Sequence, residues 1–294
     1  MNIIINIDPL AGFCPGVTKA IAVADELLQD GGKVYSFGEL VHCDEELKRL
    51  DIKGLSVMST ADIDKIHHSK ILVRAHGVSP DIQHRLQISD NEVVDATCNI
   101  VRLLQRKVRI SSIKMKEVGG QVIIFGKKKH PEVEGLVGYS QCRTIIIEEA
   151  DDFTGIDILK PMCIFAQTTT NVSDYDAFVF NMIRRVREAN GNQEDMQVFN
   201  SICNSIKARV PRLRMFASDH DVVIFVSGEQ SSNGAYLTAI CKEENARTYR
   251  ISTEEQLQAE WFVNAENIGI TGAASTPVWL LRKVSDKINQ MLYP

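Results

Sequence analysis

Nowhere in the chain's 294 residues does an apolar run reach the roughly 18 residues of a membrane span, and no basic start with an apolar stretch and cleavage site opens it. The expectation is a soluble, cytoplasmic protein. A basic excess is also missing. The 33 Lys and Arg residues stand against 38 Asp and Glu, a formal net charge of −5, which argues against a nucleic-acid surface. An anionic small molecule would need a locally basic or N–H-rich pocket. The chain has no low-complexity segment and no long charge run to mark a domain boundary. It has no C-x-x-C pair either, so the local pattern of a strong metal motif is absent.

Cysteine itself is present seven times, at Cys14, Cys43, Cys98, Cys142, Cys163, Cys203 and Cys241. An odd, widely spaced set in a chain that needs no covalent staples points to free thiols and metal ligands in a reducing cytosol. Cys163 lies in the apolar run Met162–Ala166 and Cys241 ends the helical pattern Ala235–Cys241, so both read as small buried thiols.

Short β-branched runs alternate with amphipathic segments. Lys70–Arg74, Gln121–Phe125, Thr144–Ile147, Met162–Ala166, Asp221–Val226, Arg247–Ile251 and Asn267–Thr271 read as strands. Helical spacing recurs from Ala20 to Leu28, in Tyr175–Val186 and in Val278–Met291, and Gly31-Gly32, Gly119-Gly120 and Gly191 act as stop signals. This alternation predicts an α/β protein with mainly parallel sheets covered by helices. Length alone predicts roughly two to three domains of about 100 residues.

Cys14, Cys98 and Cys203 each stand between an extended segment (Asn2–Ile7, Glu92–Asp95, Gln197–Phe199) and a helical one (Pro15–Leu28, Asn99–Val118, Asn204–Ala217). Helix N-termini favour thiolate over thiol, and thiolate is the form that ligates metal. The placement suggests one metal site built by three repeated units, bounded near residues 97 and 202: 1–97, 98–202 and 203–294. Three cysteines can hold a four-iron cluster with one iron left open as a Lewis acid. Zinc on three cysteines and burial of unrelated thiols are the competing accounts.

Polar residues cluster at the carboxyl ends of the strands, where open α/β sheets bind ligands. His42, His76 and His130 stand beside turns or helix starts, where an imidazole can meet a phosphate or alkoxide oxygen. His67, His68, His84 and His220 sit in polar, solvated contexts. Ser231, Ser232 and Asn233 precede a helix, as does Ser275 before Thr276-Pro277. Each set suits either capping or an anion site, with Pro277 fitting a first helical turn. Lys127–Lys129 reads as a solvated loop edge. Glu132 fits the first turn of a helix by its charge, and near an anionic ligand it would be pushed towards the protonated form that a general acid needs.

Several motifs occur in order: Gly12-Phe13-Cys14-Pro15-Gly16-Val17, Val41-His42, Arg74-Ala75-His76-Gly77-Val78, Asp95-Ala96-Thr97-Cys98, His130-Pro131-Glu132-Val133-Glu134-Gly135, Gln167-Thr168-Thr169, Ile202-Cys203, Ser231-Ser232-Asn233 and Ala274-Ser275-Thr276-Pro277. Over nearly the whole chain this pattern resembles the 4-hydroxy-3-methylbut-2-enyl diphosphate reductase family, called IspH or LytB. The resemblance implies a pseudo-threefold trefoil of three α/β domains around a central four-iron, four-sulfur cluster on Cys14, Cys98 and Cys203. It assigns His42, His76, His130, Ser231, Ser232, Asn233 and Ser275 to the diphosphate, Thr168 to the substrate's hydroxyl end, and Glu132 to proton relay. The implied reaction is two-electron reductive dehydroxylation to isopentenyl and dimethylallyl diphosphate, the last step of the non-mevalonate isoprenoid pathway. A one-electron donor, ferredoxin or flavodoxin, is implied with it. Other classes open to the residues are a quinolinate-synthase-like dehydratase, which would not need Glu132, and a non-catalytic iron–sulfur redox sensor. Three places depart from the family's commoner pattern: Cys43 in place of Asn, Asn99 in place of Pro, and Asn204–Val210. Cys43, near the pocket, is expected to be a liability to oxidation.

Overall fold

The computed structural model describes residues 3–229 and 231–293, without the side chain of Ser232. In chain order the elements are β1 (Ile4–Ile7), α1 (Pro15–Gln29), β2 (Val34–Phe37), α2 (Asp44–Ile52), β3 (Leu55–Met58), β4 (Lys70–Val73), α3 (Pro80–Ile88), β5 (Glu92–Asp95), α4 (Asn99–Glu117), β6 (Gln121–Phe125) and α5 (Pro131–Tyr139). There follow β7 (Thr144–Ile147), β8 (Met162–Ala166), α6 (Val172–Glu188), β9 (Met196–Phe199), α7 (Asn204–Ser218), β10 (Val222–Val226), α8 (Ser232–Glu244), β11 (Thr248–Ile251), β12 (Asn267–Gly272) and α9 (Val278–Leu292). Among the described residues the strands make three sheets of four. The recorded strand pairs are parallel, as the alternating pattern predicts. The chain divides into two compact units, Met1–Met58 with Ser205–Pro294, and Ser59–Asn204.

In the second unit the sheet runs β7-β6-β8-β9. β6 and β8 are buried along their whole length, which is why they read as unbroken apolar runs. Their side chains alternate between two cores. Ile123, Phe125, Ile164 and Ala166 meet Tyr175, Phe178, Met182 and Val186 of α6. Val122, Ile124, Cys163 and Phe165 meet Leu104, Val108 and Met115 of α4, with Val133 and Leu136 of α5. Helices α4 and α5 are thereby fixed on one face of the sheet. The parallel pair β4–β5 also belongs to this unit.

In the first unit the sheet runs β1-β12-β10-β11, with the parallel pair β2–β3 beside it in the chain. The N-terminal strand β1 thus joins the C-terminal sheet, with Ile4 opposite Asn267 and Ile7 opposite Ile270. The two complete sheets share one topology: β6, α5 and β7 lie to one side of β8 as β10, α8 and β11 lie to one side of β12. Each reverses its strand order between its two central strands, and that crevice is where such sheets bind ligands.

Two glycine stops hold as read. Gly31 and Gly119 take left-handed φ values of 74° and 67° after α1 and α4. At the end of α6 it is Asn190, φ 55°, that turns the chain, while Gly191 donates its N–H to the Val186 carbonyl.

Candidate active site

In the second unit, the loops after β6 and β8 carry His130 and Thr168 to the two sides of the crevice. His130 caps α5: its Nδ1 accepts the Glu132 N–H at 3.2 Å, which leaves the ring proton on Nε2. The chain then turns Glu132 inward, where only 1 % of it is exposed. Across the crevice Thr168 donates its N–H to Glu132 Oε1 at 2.7 Å, and its Oγ1 lies 2.6 Å from Oε2. Burial pushes the Glu132 carboxyl above its ordinary range, opposed by the two Thr168 bonds. The N–H can only donate, so Oε1 is always an acceptor and a proton on Glu132 resides on Oε2. His76 follows β4, its ring edge-on to His130 at 5.1 Å between centroids. Gly77 beside it has φ +69°, and a Cβ there would lie 2.6 Å from Gln105 Nε2.

In the first unit, the loop after β10 crosses the His42 backbone so closely that a Cβ on Gly228 would stand 2.4 Å from the His42 carbonyl oxygen. Ser231 caps α8 by accepting the Gly234 N–H at 3.0 Å. Ser232 and Asn233 lie within the first turn of α8, one step later than the sequence suggested. The Ser232 side chain is outside the described residues. Asn233 Oδ1 accepts the Ala274 N–H at 3.2 Å across the crevice, and its buried Nδ2 has no partner among the described residues. The amide oxygen thus faces the loop holding Ser275. Pro277 has the extended backbone of an N-cap, φ −74° and ψ 147°, and so stands before the first turn of α9, while Thr276 Oγ1 donates to the Val226 carbonyl at 2.7 Å.

One residue here escaped the sequence reading. Arg250, on β11, donates Nε to Ser227 Oγ at 2.7 Å and Nη2 to the carbonyls of Gly228 and Glu229 at 2.5 and 3.1 Å. It staples the β10–α8 loop, and inside a strand pattern nothing signals that role.

The three cysteines share one local arrangement. Cys14 and Cys98 are the N-cap residues of α1 and α4, neither side chain capping its helix, and Cys203 immediately precedes α7. Each is half-buried, and none is in a disulfide. The backbone N–H of each donates to a loop carbonyl beyond a neighbouring strand: Cys14 to Ala274 at 3.0 Å, Cys98 to Ala75 at 3.0 Å, and Cys203 to Thr168 at 2.9 Å. Those carbonyls belong to or adjoin Ser275, His76 and Thr168. A cleft of about 280 Å³ opens beside Cys14, lined also by Phe13, Ile206 and Arg209.

The remaining thiols differ. Cys163 and Cys241 are buried as expected, and Cys142 is half-buried in the turn before β7. Cys43 is only 2 % exposed, and burial pushes its thiol up to about 11. The expectation that it would be an oxidation liability is therefore corrected: thiolate is the reactive form, and Cys43 is held as a covered thiol.

The family model for LytB protein matches residues 5–289. A 4-hydroxy-3-methylbut-2-enyl diphosphate reductase of Bacteroides thetaiotaomicron is 33% identical over 288 residues, covering 98% of each chain. One of Chlorobium phaeovibrioides is 36% identical over 303 residues, with 95% and 96% covered. A solved structure of (E)-4-hydroxy-3-methyl-but-2-enyl diphosphate reductase, described as the terminal enzyme of the non-mevalonate pathway, aligns at TM-score 0.72 with 32% identity, covering 98% of this chain and 99% of that one. A Plasmodium falciparum reductase structure aligns at TM-score 0.81 with 25% identity, with 98% and 89% covered. Matched by that model from residue 5 to 289 and by these reductases over nearly their full length, the chain belongs to the LytB protein family.

Proposed function

We propose that this chain reduces 4-hydroxy-3-methylbut-2-enyl diphosphate to isopentenyl and dimethylallyl diphosphate, using a four-iron, four-sulfur cluster on Cys14, Cys98 and Cys203. The observation that carries this reading is the thrice-repeated backbone bond linking each cysteine to a loop with a candidate substrate residue. The donor set fits such a cluster: three undisulfided, half-buried thiols at helix starts, apart from the covered Cys43, Cys163 and Cys241 and from Cys142, which precedes a strand. The same repetition supports three equivalent segments, 1–97, 98–202 and 203–294, with β1 completing the sheet of the third.

When bound, the cluster would supply single electrons and a Lewis-acidic iron. The chain's own residues do the rest. His42, His76, His130, Ser231, Ser232, Asn233 and Ser275 hold the diphosphate through N–H and O–H donors; Asn233 Nδ2 has no hydrogen-bond partner among the described residues. Thr168 meets the substrate's hydroxyl end. Glu132 holds a proton on Oε2 and passes it to Thr168 Oγ1, whose own proton moves on to the departing oxygen. In the net reaction the C–O bond breaks, a C–H bond forms, two electrons and two protons enter, and water leaves. A one-electron protein donor such as ferredoxin or flavodoxin supplies the electrons.

Anaerobically prepared protein is expected to carry about four iron and four sulfide per chain and to consume the diphosphate substrate when given reduced methyl viologen. Cluster-loaded protein that leaves the substrate untouched would overturn the activity, and protein that binds only zinc would overturn the cofactor.

A further inference from the structure

Helix α4 follows its N-cap residue Cys98 and carries two apolar faces where the core uses one. Val101, Leu104, Val108 and Met115 are buried against the sheet. On the opposite side Leu103 is 64 % exposed, Ile110 59 % and Ile100 40 %. Residues 103 and 110 are seven apart, so they lie on one stripe along the helix, with residue 100 at its edge. The charge is as uneven as the apolarity. The nineteen residues of α4 hold six basic side chains and one acidic, in a chain of net charge −5. Arg102 is paired with Asp95 at 3.0 Å. Among the described residues no carboxylate pairs with Arg106, Lys107 or Arg109. Lys107 instead stands 4.3 Å over the Phe199 ring, and Arg106 and Arg109 line a cleft of about 310 Å³ beside the stripe.

We propose that this face of α4 is the docking surface for an acidic one-electron carrier protein. The inference rests on the reductase reading, which requires such a carrier. Exposed apolar side chains flanked by cations that no carboxylate neutralises among the described residues match an acidic partner with an apolar centre, and they disfavour a second copy of this basic face, where like charges would meet. Position fits the task as well. Arg106 lies eight residues beyond Cys98, about 12 Å along the helix axis, so a carrier seated on the first turns of α4 is close to a cluster thiolate.

The test uses the cluster-loaded enzyme and an acidic two-iron ferredoxin as the probe. Wild type is expected to bind it more tightly as salt is lowered, and Arg106→Glu with Lys107→Glu to weaken binding about tenfold or more. Leu103→Ala should weaken it with little change in the salt dependence. In turnover the charge-reversed variant should show a raised KM for reduced ferredoxin, with unchanged rates when methyl viologen is the donor. Equal ferredoxin binding by wild type and variant, no binding by wild type at low salt, or burial of α4 in a dimer detected by sedimentation would each overturn the proposal. Loss of methyl viologen turnover in wild type would instead sink the reductase reading, so the two failures are distinguishable.

Discussion

Glu132 is a carboxyl enclosed at a crevice, with both oxygens committed to one residue, and that commitment makes it testable. Glutamine in its place reproduces the protonated pattern: its oxygen accepts the Thr168 N–H and its amide donates to Thr168 Oγ1. Glu132→Gln is therefore expected to keep the fold, the cluster and most substrate affinity while turnover falls by about 10²–10⁴-fold, checked by steady-state kinetics beside iron analysis and substrate binding. The pH dependence follows from the raised pKa, caused first by burial. The protonated form is favoured in the folded state, so this group's stabilisation is complete below the unfolded pKa and lost as pH rises through the folded one. Turnover should fall over that same upper limb, because the proton to be delivered is gone. Thr168→Val removes a hydrogen bond that lowers the Glu132 pKa, so in the residual activity the limb should move to higher pH. A limb that stays in place would remove Glu132 from the titration.

At the scale of elements, the loop from β10 to α8 is held by packing and by Arg250. Gly228→Ala puts a methyl 2.4 Å from the His42 carbonyl oxygen, which is backbone and cannot swing aside. The expected cost is about 1–3 kcal/mol in denaturant unfolding, with a raised KM for the diphosphate as the loop lifts. Arg250→Lys removes the fork that joins Ser227 to the Gly228 and Glu229 carbonyls, and should raise KM with little loss of stability. An unchanged KM in both variants would exclude this loop from substrate binding. The central strands were legible in the sequence because burial on both faces leaves an apolar run with nothing polar to break it. The four-residue strands β2 and β3 and the nine-residue helices α2 and α3 were not, since so few residues hold no clear period. His130-Pro131-Glu132 showed a helix start, but its pairing with Thr168 spans 36 residues and arises from the order of strands in the sheet. The Arg250 staple, likewise, is created by the β10–β11 pairing.

Across the whole molecule the seven thiols separate by exposure together with place, and Cys142, half-buried in the turn before β7 and at no helix start, belongs to neither of the two sets. Cys14, Cys98 and Cys203 are half-buried at helix starts. Cys43, Cys163 and Cys241 are buried, and burial raises all three pKa values, to about 11 for Cys43 and about 12 for Cys241. An alkylating reagent acts on the thiolate, so both access and charge protect the buried set. In metal-free protein near pH 8, iodoacetamide followed by peptide mass analysis is expected to label Cys14, Cys98 and Cys203, to spare Cys43, Cys163 and Cys241, and to reach the half-buried Cys142 whether or not a cluster is loaded. Anaerobic cluster loading should then protect Cys14, Cys98 and Cys203 together, since one group would hold them all. Cys98→Ser should lose stable cluster binding and leave Cys14 and Cys203 open to the reagent under loading conditions, whereas Cys43→Ser should still load. Protection of only one or two of the three in loaded wild type would show that they do not share a cluster, and labelling of Cys43 in the folded protein would show that its helix start opens to solvent.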